Sequence, residues 1–234
     1  QAVVTSIYAP ATLDVETTNL AQPKSIFFPS GNHQMVHAFF YHPTSASYCG
    51  QANELPPVIV MCHGGPTGAT DSGLNLKLQY WTSRGFAVVD INYRGSTGKG
   101  VEYSKLGQND YAGKEFDDLV DLKNHLVKMG LVNEKKVGIT GGSYGGYASA
   151  WGATKLTKHF AASVMFVGIS NQLSKFGTTD ISNEMHLVHA RSYPWDKWQW
   201  YLERSPIYWV EQSQTPLLIM HGKADPRVHP AQSM

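Results

Sequence analysis

Five short runs constrain the fold more than any other feature of the chain: Val58–Cys62, Phe86–Ile91, Val137–Thr140, Ser163–Val167 and Leu217–Met220. A strand with one wet face alternates polar and apolar residues. These runs are mostly apolar or β-branched throughout, the mark of strands covered on both faces. Segments able to form helices separate them. The clearest is Glu115–Met129, where Leu119, Leu122, Leu126 and Met129 recur at three- and four-residue spacing before Gly130. Strands of this kind alternating with helices predict an α/β domain: a mostly parallel sheet with helices on both faces. Upstream, Ser25–Phe28 and Val36–Tyr41 flank the turn-rich Pro29-Ser30-Gly31-Asn32 and predict an antiparallel hairpin. Residues 1–22 are polar without a clear period and read as a linker or tail, leaving 23–234 as one domain.

At 234 residues with 42% hydrophobic and 12% aromatic content, the chain can bury a large single core, which excludes a disordered segment. Its net charge of +1, with no run of like charges, gives no electrostatic surface for nucleic acid or an anionic membrane. No apolar stretch approaches bilayer-spanning length. Cys49 and Cys62 cannot make a disulfide framework, and there is no N-glycosylation acceptor, so a reducing, cytoplasmic compartment is expected. The N-terminus begins at Gln1 and lacks the pattern of a signal peptide. The aromatic-dense stretch from Pro194 to Trp209 is expected to form a cap over the sheet.

Chemistry concentrates at three places. The strand Lys136–Thr140 runs into Gly141-Gly142-Ser143-Tyr144-Gly145-Gly146-Tyr147, followed by small residues that suit a helix. A serine on a sharp strand-to-helix turn, with glycines two positions away on each side, is a nucleophile elbow of the α/β-hydrolase fold. The glycines are needed because the turn is strained and its neighbours crowd it. The helix that follows offers N–H groups and a dipole to an oxyanion. Upstream, Val58–Cys62 runs into His63-Gly64-Gly65-Pro66, a glycine turn of the kind that supplies a second oxyanion N–H. Downstream, Leu217–Met220 leads to His221-Gly222-Lys223-Ala224-Asp225, and Asp225 stands where this fold places its acid.

With these pieces in order, the chain resembles the prolyl oligopeptidase family of serine peptidases, and most of all its acylaminoacyl-peptidase and dipeptidyl-aminopeptidase-like branch. Asn92-Tyr93-Arg94-Gly95-Ser96-Thr97-Gly98, Asp117-Asp118 and Ser205-Pro206-Ile207 add to the likeness, which covers Lys24 to Met234. The resemblance implies Ser143 as nucleophile, Asp225 as triad acid, and the N–H groups of Tyr144 and Gly65 as the oxyanion hole. It implies that Arg227 binds a substrate carbonyl; the alternative is an arginine paired with a nearby carboxylate. It further implies a short-peptide substrate, no cofactor or metal, and an N-terminal β-propeller to which residues 1–22 would be the linker. A carboxylesterase on the same fold is the second reading, and a domain that has lost its catalytic base the third.

The family's catalytic histidine lies roughly thirty residues past the acid, after one more strand, in the fold's order of serine, acid, histidine. Here Met234 follows Asp225 by nine positions. His229 is too close to Asp225 to serve, His63 and His221 belong to their own motifs, and His186 and His189 read as cap or surface residues. The chain is therefore expected to be incomplete at its C-terminus, lacking the last strand and helix, and impaired by the missing base. An unpaired sheet edge would also permit homo-oligomers.

Overall fold

A computed structural model describes residues 3, 5–8 and 14–234. The strands are β1 (Lys24–Ser30), β2 (Gln34–Tyr41), β3 (Val58–Cys62), β4 (Ala87–Asn92), β5 (Val137–Gly142), β6 (Ala162–Phe166) and β7 (Leu217–Met220). The helices are α1 (Leu76–Thr82), α2 (Val101–Lys105), α3 (Lys114–Lys128), α4 (Tyr144–Ala153), α5 (Gln172–Thr178), α6 (Ser182–Glu184) and α7 (Trp198–Glu203). All the strands join one sheet in the order β1-β2-β4-β3-β5-β6-β7. The β1–β2 and β2–β4 pairs are antiparallel and the others parallel. The hairpin and all five of the predicted strands that follow it are present, with ends shifted by a residue or two.

Residue alternation along the strands divides the molecule into two layers. Val58, Val60, Val89, Ile91, Val137 and Ile139 point to the face covered by α3 and α4, and form the main core with Leu119, Leu122, Leu126, Tyr147 and Trp151. Met129, predicted to continue the leucine stripe, is 60% exposed: it caps α3, and the chain turns away at Gly130 with φ +66°. The opposite face carries α1, whose Leu78 and Trp81 pack on Phe39, Met61 and Val88. Helices thus lie on both faces, but unequally. Beside α1, Ile59, Met61, Val164, Phe166, Leu218 and Met220 line an open apolar groove of about 890 Å³. Strand β7 is an edge, and its Leu218, Ile219 and Met220 are exposed.

Between β6 and β7 the chain makes the predicted cap. Helices α5 and α6, a π turn over Met185–Ala190 and α7 pack Met185, Ala190 and Tyr201 into a small core of their own. Trp200 and Trp209 reach from this region to the main core, whereas Trp195 and Trp198 stay exposed. Of the polar segment 1–22, residues 1, 2, 4 and 9–13 lie outside the described residues. Its far end is fastened to α1, where Ala21 N donates to Gln79 Oε1 (2.8 Å) and Gln79 Nε2 donates to Ala21 O (2.9 Å). Among the described residues no helix is long and apolar enough to cross a membrane.

One buried ion pair ties the hairpin, the loop after β4 and α3 together. Asp118 is fully buried, and Arg94 Nε donates to its Oδ1 (2.7 Å) while Arg94 N donates to its Oδ2 (2.8 Å). Ser30 Oγ, at the end of β1, donates to the same carboxylate (2.5 Å), and Arg94 also donates to the Lys114 carbonyl at the start of α3 (2.7 Å). Burial alone would push the Asp118 pKa up; the arginine and hydroxyl oppose this. A buried carboxylate left without its cation is costly. Arg94→Met is therefore expected to destabilise the fold by about 3–5 kcal/mol, read as a lowered urea midpoint, and Arg94→Met/Asp118→Leu to recover part of that loss.

Candidate active site

Because β3, β5, β6 and β7 run parallel, their C-terminal ends share one edge of the sheet: Cys62 is level with Gly141, Gly142 with Phe166, and Phe166 with Met220. That edge is where α/β proteins build their sites. The chain leaves β5 through Ser143 at φ 57°, ψ −115°, a conformation L-residues rarely adopt, and enters α4 at the next residue. Such backbone costs on the order of 1–3 kcal/mol and needs surroundings that over-determine it. Here they do. A Cβ on Gly141 or Gly145 would overlap the Cys62 carbonyl oxygen, and one on Gly146 would stand 2.5 Å from Phe166 O. Glycine at these positions lets α4 pack tightly against the ends of β3 and β6. All ten of its residues are buried.

Tyr144 opens α4, so its N–H has no carbonyl one turn back to bond. The glycine turn after β3 lies against the elbow: a Cβ on Gly64 would be 3.6 Å from Ser143 Cβ. Gly65 adopts φ +117°, and any side chain there would meet Thr67 N at 2.6 Å. Among the described residues the Gly65 N–H donates no hydrogen bond. Among the described residues, the N–H groups of Tyr144 and Gly65 thus stand without partners near the serine.

The Asn92-to-Ser96 string, which the sequence marked without a role, braces this turn. Tyr93 stacks on the His63 ring (centroids 4.3 Å apart, 19° between planes), and its hydroxyl donates to His63 O (2.8 Å). Ser96 Oγ lies 2.8 Å from His63 Nε2. Asn92 exchanges hydrogen bonds with Thr70: its Oδ1 accepts from Thr70 N (2.8 Å) and its Nδ2 donates to Thr70 O (3.1 Å). His63 is thereby part of the scaffold, and burial lowers its pKa.

Asp225 sits in the turn after β7. Its Oδ1 accepts from Arg227 N and Val228 N, both at 2.9 Å, and so fixes the turn. Its Oδ2 lies 3.7 Å from His221 Nε2, too far for a hydrogen bond, which leaves that oxygen available. Arg227 is paired with a carboxylate: Nε donates to Asp180 Oδ1 (2.6 Å) and Nη2 to Asp180 Oδ2 (3.4 Å). Asp180 belongs to the cap, 47 residues away, and sequence reading did not single it out. The pair is about half exposed, so the guanidinium keeps free N–H groups towards solvent.

The other histidines are engaged elsewhere. His221 reaches Val228 O (2.7 Å) and Ser233 Oγ (2.6 Å). His229 caps the final turn, accepting from Ala231 N (3.2 Å). His186 stacks on Tyr193 (3.7 Å), and His189 lies 3.3 Å from Glu184 Oε1. His189 is buried against Tyr111 rather than at the surface, and desolvation lowers its pKa to about 4. None of these rings bonds Ser143 among the described residues. Nor do the described residues contain a cluster of His, Cys, Asp or Glu able to hold a metal.

Comparison with known proteins agrees with the geometry. Over 189 residues the chain is 38% identical to dipeptidyl aminopeptidase BIII of Pseudoxanthomonas mexicana, a match covering 79% of this chain and 27% of that protein. It is 30% identical to the acylamino-acid-releasing enzyme of Sus scrofa over 76% of this chain and 25% of the relative. The crystal structure of puromycin hydrolase superposes with a TM-score of 0.90 at 29% identity, covering 95% of this chain and 34% of that one. The chain thus spans about a quarter to a third of the length of these relatives. Residues 72–234, which include the elbow, the acid turn and the cap between them, match the prolyl oligopeptidase family, and the chain belongs to that family.

Proposed function

We propose that this chain is the catalytic domain of a serine peptidase that cleaves short peptides through an acyl-enzyme on Ser143. The observation that carries the proposal is the strained Ser143 backbone, wedged between glycines that admit no side chain and flanked by two unspent N–H groups. Ser143 Oγ attacks the scissile carbonyl, and the carbonyl oxygen takes up negative charge facing Tyr144 N–H and Gly65 N–H. Collapse breaks the C–N bond and expels the amine. Water then repeats the attack on the ester and frees the second product. A base must take the Ser143 proton and return it to the leaving amine. The family resemblance implies a histidine, oriented through Asp225 Oδ2. Acylation without it would be slower by on the order of a millionfold.

The substrate class rests on the relatives, one named a dipeptidyl aminopeptidase and another an acylamino-acid-releasing enzyme. Arg227 would offer its solvent-facing N–H groups to a peptide carbonyl while Asp180 holds the guanidinium still.

In a protein that carries the histidine the resemblance implies, a fluorophosphonate probe is expected to label Ser143 and to leave Ser143→Ala unlabelled. Labelling that survives Ser143→Ala, or fails in wild type, would dismiss Ser143 as an activated nucleophile. The ester carbonyl is the more electrophilic, so a peptidase and an esterase should both hydrolyse a short nitrophenyl ester. Turnover of a peptide anilide is expected as well, and ester turnover with no anilide turnover would favour an esterase. Arg227→Ala should lower kcat/KM for the anilide by roughly ten- to a hundredfold, the worth of about 1.5–3 kcal/mol for a charged hydrogen bond, and spare the ester.

A further inference from the structure

Glu115 is a buried carboxylate that the proposed chemistry does not use. It lies in the first turn of α3 and is 2% exposed, and among the described residues no cation is bonded to it. Both of its oxygens are spent locally. Gly113 N donates to Oε2 (3.1 Å), and the Tyr144 hydroxyl donates to Oε1 in a very short contact. The Tyr144 hydroxyl in turn receives a long bond from Ala112 N (3.4 Å). Burial pushes the Glu115 pKa up to about 8 despite these hydrogen bonds, with Asp110 adding to the rise. A leucine or phenylalanine in this aromatic shell would avoid that desolvation cost. What the carboxyl provides instead is a fixed point for one side chain.

That side chain belongs to the residue next to the nucleophile. The Tyr144 ring is fully buried and wedged among Tyr111 (4.8 Å), Tyr147 (5.3 Å), Phe116 (5.5 Å) and Tyr93 (6.0 Å between centroids). Ring packing fixes its plane, but the hydroxyl bond to Glu115 fixes how far it extends, and with it the first turn of α4. Three residues on, Asp118 holds Arg94, the neighbour of the Tyr93 that braces the glycine turn. The two carboxylates, one turn apart on α3, thus reach the two sides of the proposed oxyanion hole.

We propose that Glu115 is a positioning residue for the reaction: by holding the Tyr144 hydroxyl it aims the Tyr144 N–H at the developing oxyanion. The role rests on Tyr144 being an oxyanion donor, as set out above. An oxyanion donor acts mainly in the transition state, and a small displacement there is costly. Glu115→Ala and Tyr144→Phe should each lower kcat for a peptide anilide about 10- to 100-fold, with KM changed less than about twofold. Glu115→Gln keeps an acceptor facing Tyr144 and should stay within about threefold of wild type. The double variant Glu115→Ala/Tyr144→Phe should be no slower than the worse single one, because both break the same contact.

A purely structural acid, serving only the dipole of α3, gives a different pattern. Gln would then behave like Ala, Tyr144→Phe would be silent, and kcat would be unchanged in variants that lose only thermal stability; any of these overturns the proposal. Backbone amide exchange at Ser143 and Tyr147, whose N–H groups bond Phe166 O and Ser143 O, supplies a readout independent of turnover. It should accelerate at least tenfold in Glu115→Ala and Tyr144→Phe but not in Glu115→Gln, and equal exchange in all four proteins would sink the idea. If wild type neither turns over peptide nor labels at Ser143, the peptidase assignment fails, while the exchange comparison still decides whether Glu115 holds the elbow.

Discussion

The carbonyl oxygen of Cys62 occupies the space where a side chain on Gly141 or Gly145 would be. From that single exclusion much of the architecture follows. The end of β3 can touch the elbow only because two glycines give way, and α4 can then lie flat on the sheet with every residue buried. The same approach brings the glycine turn after β3 beside Ser143, so the two N–H groups meet although nearly eighty residues of chain separate them. Ser143 cannot relax from its positive φ without moving α4, and α4 cannot move without unpacking the main core. The strain of the serine is held by the ordinary close packing of the interior.

Electrostatics reinforce this packing from one helix. Glu115 and Asp118 both face inward from the start of α3, where the helix dipole favours acidic groups. Asp118 is matched by a guanidinium and two further donors; Glu115 is matched only by neutral donors. Desolvation therefore raises the pKa of both, but it prevails more fully at Glu115. On the cap side the Arg227–Asp180 pair is open to solvent, where salt screens it and its worth to stability is small. Its effect lies in direction: it sets where the guanidinium points.

Local pattern made the sheet readable in advance. Runs such as Val58–Cys62 and Val137–Thr140 carry their burial in their own composition, and the elbow announces itself because its glycines are neighbours in sequence. Features built from distant partners were less legible. Nothing near Arg227 in sequence points to Asp180, and Glu115 reads as one more acid at a helix start until Tyr144 is seen above it. The Asn92–Ser96 string was conspicuous, yet its work on His63 and Thr70 depends on β3 and β4 lying side by side. Met129 misled because the spacing ran on to the C-cap, one residue before Gly130, where the side chain is exposed. His189 lies in the cap, one of the two readings made of it, but local spacing could not reveal Tyr111, 78 positions earlier, as its packing partner.

The strand order has a consequence for how the molecule is made. β3 and β4 lie at the middle of the sheet, the hairpin stands beside β4 on one flank, and β5, β6 and β7 follow one another in chain order on the other. During synthesis β5 and then β6 is in turn the outermost, its backbone unpaired on one side until the next strand leaves the ribosome. The interval before β7 is the longest of the three, since the cap must be translated between β6 and β7. A nascent chain paused there would present Val164 and Phe166 on an open ladder, and slow passage through the cap would lengthen that exposure.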